Sequence, residues 1–322
     1  DLKKNASEYF DNEEYAKAFN HYKSLLEKYP KDGLFNYYAG ICLIELNKDP
    51  EKAIEHLDFA SSKSIVPSNV FYYMGKAYRK NYQFSESAAS FRKYYSVASK
   101  SEINELHPGK EAESSNTAAK MTLEYNPFDI ITSSLFTFRD SNYLHQIRGK
   151  GGYLTMKPEE LMTKGEEKDE LTNFFFRPRY ISRGDRVFIS GFSSRSRKNG
   201  SELFTVKKTN GSKWGKPKEI DLLNTEFDEI LPYFDPISND LYYASSGPES
   251  MGGFDVFKSH YDSDRDSWSD PVNLGFPVNS PDNEFIVMPG ADLGNLLVIT
   301  DRQGFDTLCT AYILHLKEPK QS

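Results

Sequence analysis

A period close to 34 residues runs through the first third of the chain and constrains its fold more than any other feature. Ala6, Gly40 and Gly75 stand 34 and 35 residues apart, and each is followed three residues later by Tyr9, Leu43 or Tyr78. Later in each unit a small residue (Ala18, Ala53, Ala88) precedes a larger apolar one (Tyr22, Leu57, Phe91), and Pro30 closes the first unit. A small residue lets two antiparallel helices approach closely, and a large one fills the space between neighbouring helix pairs. Three helical hairpins are therefore predicted, with turns at Asp11-Asn12-Glu13 and Asn47-Lys48-Asp49-Pro50.

These positions resemble the tetratricopeptide repeat, whose Gly, Tyr, Ala, Phe and Pro sites are matched in order. The usual first-helix Trp is replaced by Leu2, Asn36 and Phe71, and the second unit carries one extra residue in its turn. The resemblance implies an α-solenoid over 1–124 whose inner face is lined by the first helix of each hairpin. On that face it places a partner-binding groove of Tyr37, Ile41 and Ile44 from the second unit and Tyr72, Lys76 and Arg79 from the third. An aromatic floor with two cations one turn apart suits an extended acidic or C-terminal peptide. The other reading of the same residues is that Tyr37 and Tyr72 pack neighbouring helices while Lys76 and Arg79 are solvated. The family's carboxylate-clamp positions read Tyr38, Asn69 and Tyr73, which do not match that version. A helix from Lys110 to Glu124 is expected to cap the last apolar face.

From about residue 126 the texture changes to Gly, Pro, Asn, Asp and Ser clusters between short β-rich runs, and a second period appears. Trp214 and Trp268 are 54 residues apart. Arg186 to Ser190 is matched by Leu241 to Ser245 and by Leu296 to Thr300, Gly253-Phe254-Asp255 recurs as Gly304-Phe305-Asp306, and Asn224 to Glu229 recurs as Asn279 to Glu284. Each unit reads as one blade of a β-propeller over 125–322. The pattern resembles the WD-like repeat of bacterial envelope propellers of the TolB type, with Gly200-Ser201-Glu202-Leu203 replacing the double-Gly turn in the first unit. The motif residues are expected to be structural. Three blades do not close a ring, so either 126–175 form a divergent blade, with a strand at Ser134–Phe138, or the ring extends beyond this chain. An exposed charged insertion is expected from Lys157 to Leu171.

No His-Glu-x-x-His, Cys-x-x-Cys, P-loop or Gly-x-Ser-x-Gly motif occurs, and the six histidines lack ligand spacing. The chain is therefore expected to be non-catalytic and to need no cofactor. Asp262, Asp264 and Asp266 alternate like the start of a calcium loop, a metal candidate that departs from the pattern at Ser267 and Asn273. The net charge of −7 lacks the basic footprint that phosphate backbones require, so nucleic acid is not an expected partner. No apolar run is long enough to span a bilayer. The two cysteines, Cys42 and Cys309, fall in different predicted domains and are not expected to pair.

The predicted fold class is thus an α + β multidomain chain, a tetratricopeptide-type solenoid followed by an all-β propeller. That order of parts resembles periplasmic proteins of the Bacteroidota, some of which carry an OmpA-like peptidoglycan-binding domain and some of which serve type IX secretion or gliding. The resemblance implies a periplasmic, outer-membrane-associated scaffold for envelope proteins or peptide segments. It also implies peptidoglycan contact through a region outside this chain, and is compatible with a trimmed leader and a lipid anchor ahead of Asp1. Two other readings stay open. One is a glycan- or peptidoglycan-binding propeller using Tyr233, Phe234, Tyr242 and Tyr243, and the other is a propeller hydrolase.

Overall fold

The computed structural model describes residues 2–123, 128–134, 186–191, 200–208, 215–289, 295–302 and 310–316. The chain divides into two compact units, one built on Asp1–Leu123 and the other on Glu124–Arg302 and Thr307–Ser322.

Among the described residues the first unit is eight helices: α1 (Leu2–Asp11), α2 (Tyr15–Lys28), α3 (Gly33–Glu45), α4 (Pro50–Ser61), α5 (Val70–Lys80), α6 (Phe84–Val97), α7 (Lys100–Leu106) and α8 (Pro108–Leu123). Local chemistry sets their starts. Asp32 accepts from Phe35 N at 3.0 Å to begin α3, and Asp49 accepts from Lys52 N at 3.2 Å, with Pro50 in the first turn of α4. The 34-residue period becomes packing in the hairpins α1–α2, α3–α4 and α5–α6. Ala6, Ala18, Ala53 and Ala88 are buried, and a Cβ added to Gly40 would stand 2.6 Å from Leu57 Cγ. At Gly75 it would stand 2.7 Å from the Phe91 ring. Each small residue is thus the contact point of its pair, and Tyr22, Leu57 and Phe91 are the side chains that fill the approach.

The helix expected at Lys110–Glu124 is α8, beginning two residues earlier, and it packs on α6. The short α7 before it was not anticipated. It starts at a capping box in which Ser99 Oγ accepts from Glu102 N and Ser99 N donates to the Glu102 carboxylate at 2.7 Å.

The second unit holds three antiparallel sheets among the described residues. One is β2 (Arg186–Gly191), β3 (Glu202–Lys207) and β4 (Lys218–Glu219). The next runs β5 (Glu229–Asp235), β6 (Asp240–Ser245), β7 (Asp255–Asp262) and β8 (Ser267–Trp268), with β9 (Val272–Asn273) also on β7. The last contains β10 (Glu284–Pro289), β11 (Asn295–Thr300) and β12 (Thr310–Leu316), and its fourth strand is β1 (Phe128–Ser134), paired with β12 in the register Phe128 to Leu316. Among the described residues, the first strand of the unit is therefore hydrogen-bonded to the last. The strand expected at Ser134–Phe138 meets β1 at Ser134 only. Residues 135–138, the insertion at 157–171, Trp214, Gly304-Phe305-Asp306 and Cys309 lie outside the described residues.

The core lies between consecutive sheets rather than under one face of each. Every residue of β6 is buried, as a strand covered on both sides must be. Phe188 of β2 packs on Phe234 of β5 with ring centres 4.9 Å apart and meets Trp268 edge-on at 5.5 Å. Tyr242, Val256, Val278, Val287, Val298, Tyr312 and Leu314 form the corresponding cluster between the second and third sheets.

Candidate functional site

Helix α3 is buried on nearly every face because α2, α4 and α5 all pack against it. This decides where the expected groove residues go. Ile41 and Ile44 lie in the core with Leu57, Val70 and Met74, and do not line an open face. Tyr37 is also buried. Its hydroxyl donates to Asn69 Oδ1 at 2.7 Å, and burial pushes its ionisation far above the ordinary tyrosine range. Tyr72 is half-buried, with its ring 5.4 Å from Phe91 and 5.6 Å from Tyr94. Both aromatics therefore pack neighbouring helices.

The two cations are paired rather than solvated. Lys76 Nζ lies 2.6 Å from Glu45 Oε1, both side chains are about a quarter exposed, and the ammonium sits 5.6 Å above the Tyr73 ring. Arg79 is buried, 2.5 Å from Glu111 Oε2 and 5.2 Å from the Phe91 ring centre. Burial alone would raise Glu111, but Arg79 and Lys110 more than offset it and hold the carboxyl below its ordinary range. The structure thus brings Tyr37 and Lys76 together with Asn69, Tyr73 and Glu45 in the seam between α3 and α5, whereas Tyr72 and Arg79 turn to α6 and α8, where Arg79 meets Glu111; the partners Glu45 and Glu111 were not singled out in the sequence. A signal was present. The contacts 37–69, 45–76 and 79–111 all span 31 or 32 residues, just under one repeat. Glu111 extends that series onto α8.

With its charges matched, this seam offers neutral aromatic and hydrogen-bonding surface around Tyr73 and the exposed edge of the Lys76–Glu45 pair. Cys42, the one free cysteine among the described residues, is buried on the other side of α3 with Ala6, Ala18 and Tyr22, and burial pushes its thiol up to about 12, out of the reactive range.

In the sheet unit the repeated motif residues hold the sheets together. Asn224 joins Leu203 through both backbone groups, at 2.7 Å to N and 3.1 Å to O, and Glu229 accepts from Thr225 N and Oγ1 and from Ser245 Oγ. Asn279 does the same to Val256 at 2.8 and 2.9 Å, and Glu284 to Ser280 and Thr300. In the Gly252-Gly253 turn a Cβ on Gly252 would stand 2.4 Å from Pro281 O, so the repeat needs glycine there. Phe234, Tyr242 and Tyr243 are buried core rather than sugar-stacking surface, and Tyr233 is half-buried.

The three aspartates of the calcium candidate do not converge. Asp262 Oδ1 accepts from Asp264 N and Arg265 N within the β7–β8 turn. Asp266 turns instead to Tyr261, Arg186 and Lys207, whose hydrogen bonds hold it well below the usual carboxylate range. Among the described residues no group of three or more His, Cys, Asp or Glu side chains is arranged to hold a metal ion. No protein-family model matches the chain, and no curated protein matches it either.

Proposed function

We propose that the chain is a non-catalytic protein–protein interaction scaffold of the bacterial cell envelope, a tetratricopeptide-type solenoid joined to a WD-like propeller. In this reading it works on the periplasmic side of the outer membrane with a type IX secretion or gliding complex. The observation that carries it is the use of both sequence periods as packing units. Small and large side chains interlock in three successive helix pairs, and the Asn-x4-Glu motif makes the same bonds in two successive sheets. Repeat architectures built this way present extended surface without committing residues to chemistry. Pairing of β1 with β12 supports a ring, because it joins the two sequence ends of the sheet unit. Among the described residues no helix is long and apolar enough to cross a membrane.

The partner face is the α3–α5 seam at Tyr73, Lys76 and Glu45, and its partners are envelope proteins or their peptide segments. The test is a cross-linked pull-down of tagged protein from envelope membranes, run with wild type and K76E and read by mass spectrometry. A stoichiometric set of secretion or outer-membrane proteins, captured by wild type and lost by a K76E variant of unchanged circular dichroism, is expected. Recovery of the wild-type protein alone would overturn the scaffold reading, and equal capture by K76E would move the partner face elsewhere.

A further inference from the structure

Asp255, at the start of β7, and Glu284, at the start of β10, are both wholly buried where the second and third sheets of the unit meet. Their surroundings are unequal. Glu284 Oε1 accepts from Ser280 Oγ at 2.7 Å, Thr300 Oγ1 at 2.9 Å and Arg302 Nη2 at 3.0 Å, and its Oε2 accepts from Ser280 N at 2.8 Å. Asp255 Oδ2 accepts from Met251 N at 2.9 Å and Asn273 Nδ2 at 2.7 Å, while Oδ1 is buried with no donor. One guanidinium, already on Glu284, serves two acids. A carboxylate with a bare oxygen away from water is the costlier of the two to keep charged.

We propose that Asp255 is the proton-carrying member of a buried clamp of two acids and one cation, and that losing this proton loosens the junction of the two sheets. Glu284 on β10 opposes its charge and Arg302 after β11 favours it, whereas Asn273 on β9 and Met251 N are neutral donors. Across β6 the paired residue is Ser245, whose hydroxyl is committed to Glu229. Farther out, Tyr312 lies under Arg302, and Asp282 adds negative charge near it. Burial first, and the Glu284 charge second, raise Asp255 well above the carboxylate range. A cation in place of the proton is disfavoured, because Arg302 already supplies the positive charge.

A carboxyl raised in the folded state contributes fully below the ordinary aspartate value, and that contribution is lost as pH rises toward the folded value. The isosteric D255N cannot ionise, so it escapes this loss. The experiment uses the full chain, labelled with 13C at aspartate carboxyls, titrated by NMR and melted across the same pH series alongside D255N. The Asp255 signal is expected to keep its protonated shift after the solvent-exposed aspartates have ionised. The sheet-unit melting temperature of wild type should fall with rising pH while that of D255N stays flatter. An Asp255 signal that titrates with the exposed aspartates, or identical pH slopes in the two proteins, would overturn the proposal. Should D255N fail to fold, the wild-type titration, assigned through its own backbone, decides alone.

Discussion

Asn279 hydrogen-bonds to both backbone groups of Val256, its Oδ1 accepting from the amide at 2.8 Å and its Nδ2 donating to the carbonyl at 2.9 Å. Asn279 lies in the loop leading to β10, whereas Val256 belongs to β7, so one side-chain amide ties one sheet to the approach of the next. The same relation holds between Asn224 and Leu203 one unit earlier. A side-chain amide suits the place because it offers a donor and an acceptor at the spacing of the two backbone groups it satisfies.

Replacing Asn279 with alanine should therefore strand the buried Val256 N–H, while the Val256 carbonyl keeps its bond from Leu274 N. One orphaned donor costs about 1–3 kcal/mol. N279A and N224A are both expected to lower the urea midpoint of the sheet unit by corresponding amounts while leaving the helical far-UV signal in place at the same denaturant concentration. Loss of both signals together, or of neither, would refute this division.

Gly75→Ala provides a test of the helical period. Alanine is the better helix former by about 1 kcal/mol, but its Cβ would meet the Phe91 ring at 2.7 Å, and overpacking costs about 1–3 kcal/mol. G75A should be net destabilising in thermal melts. Gly109 near the start of α8 is the control, since its nearest neighbour, the Tyr95 ring, is 3.7 Å away. G109A is expected to be neutral or slightly stabilising, and a stabilised G75A would show that Phe91 moves aside without cost.

The helical packing was legible because close approach demands particular residues at particular places, and Gly40, Gly75 and Ala53 can be read directly. The α7 start was equally readable, as Ser99 three residues before Glu102, yet easy to pass over in a seven-residue helix. Ile41 and Ile44 were misplaced because a repeat period marks which helix face is shared but not how many neighbours cover it, and α3 has several. The pairing of Lys76 and Arg79 escaped notice because residue type alone does not show that Glu45 and Glu111 stand one repeat away on the adjoining helices. In the sheets, the units with matching turns were readable, but β1 was not. Its partner β12 lies at the other end of the unit, and no local pattern encodes so distant a pairing.

Glu111 should make the helical unit sensitive to acid. Its carboxyl is held below the ordinary range in the folded state, so its contribution is present above the ordinary glutamate value and is lost as pH falls through the folded value. E111Q is expected to flatten the fall in melting temperature on acidification. E111A goes further, leaving the buried Arg79 without a counter-charge at a cost of about 3–5 kcal/mol near neutral pH. An E111A variant as stable as wild type would mean that Arg79 finds water or another acceptor.

Asp266 presents the opposite, surface case. It accepts from Arg186 at 3.2 Å and Lys207 at 3.0 Å, linking the first sheet to the β7–β8 turn, but its side chain is 61% exposed. Screening then limits the pair to about 1 kcal/mol or less, and salt should reduce it further. Asn tolerates the left-handed backbone at this position, where φ is +48°, so D266N removes the charge without straining the turn. The variant should lose a small increment of stability at low salt and almost none at high salt. Its increment should also vanish in acid, because a carboxyl depressed in the folded state contributes only above its ordinary pKa and loses that contribution as pH falls. Added calcium should leave the melting temperature of wild type unchanged, since Tyr261, Arg186 and Lys207 already occupy the Asp266 oxygens. A calcium-dependent rise in melting temperature that D266N abolishes would instead establish an ion site at this turn.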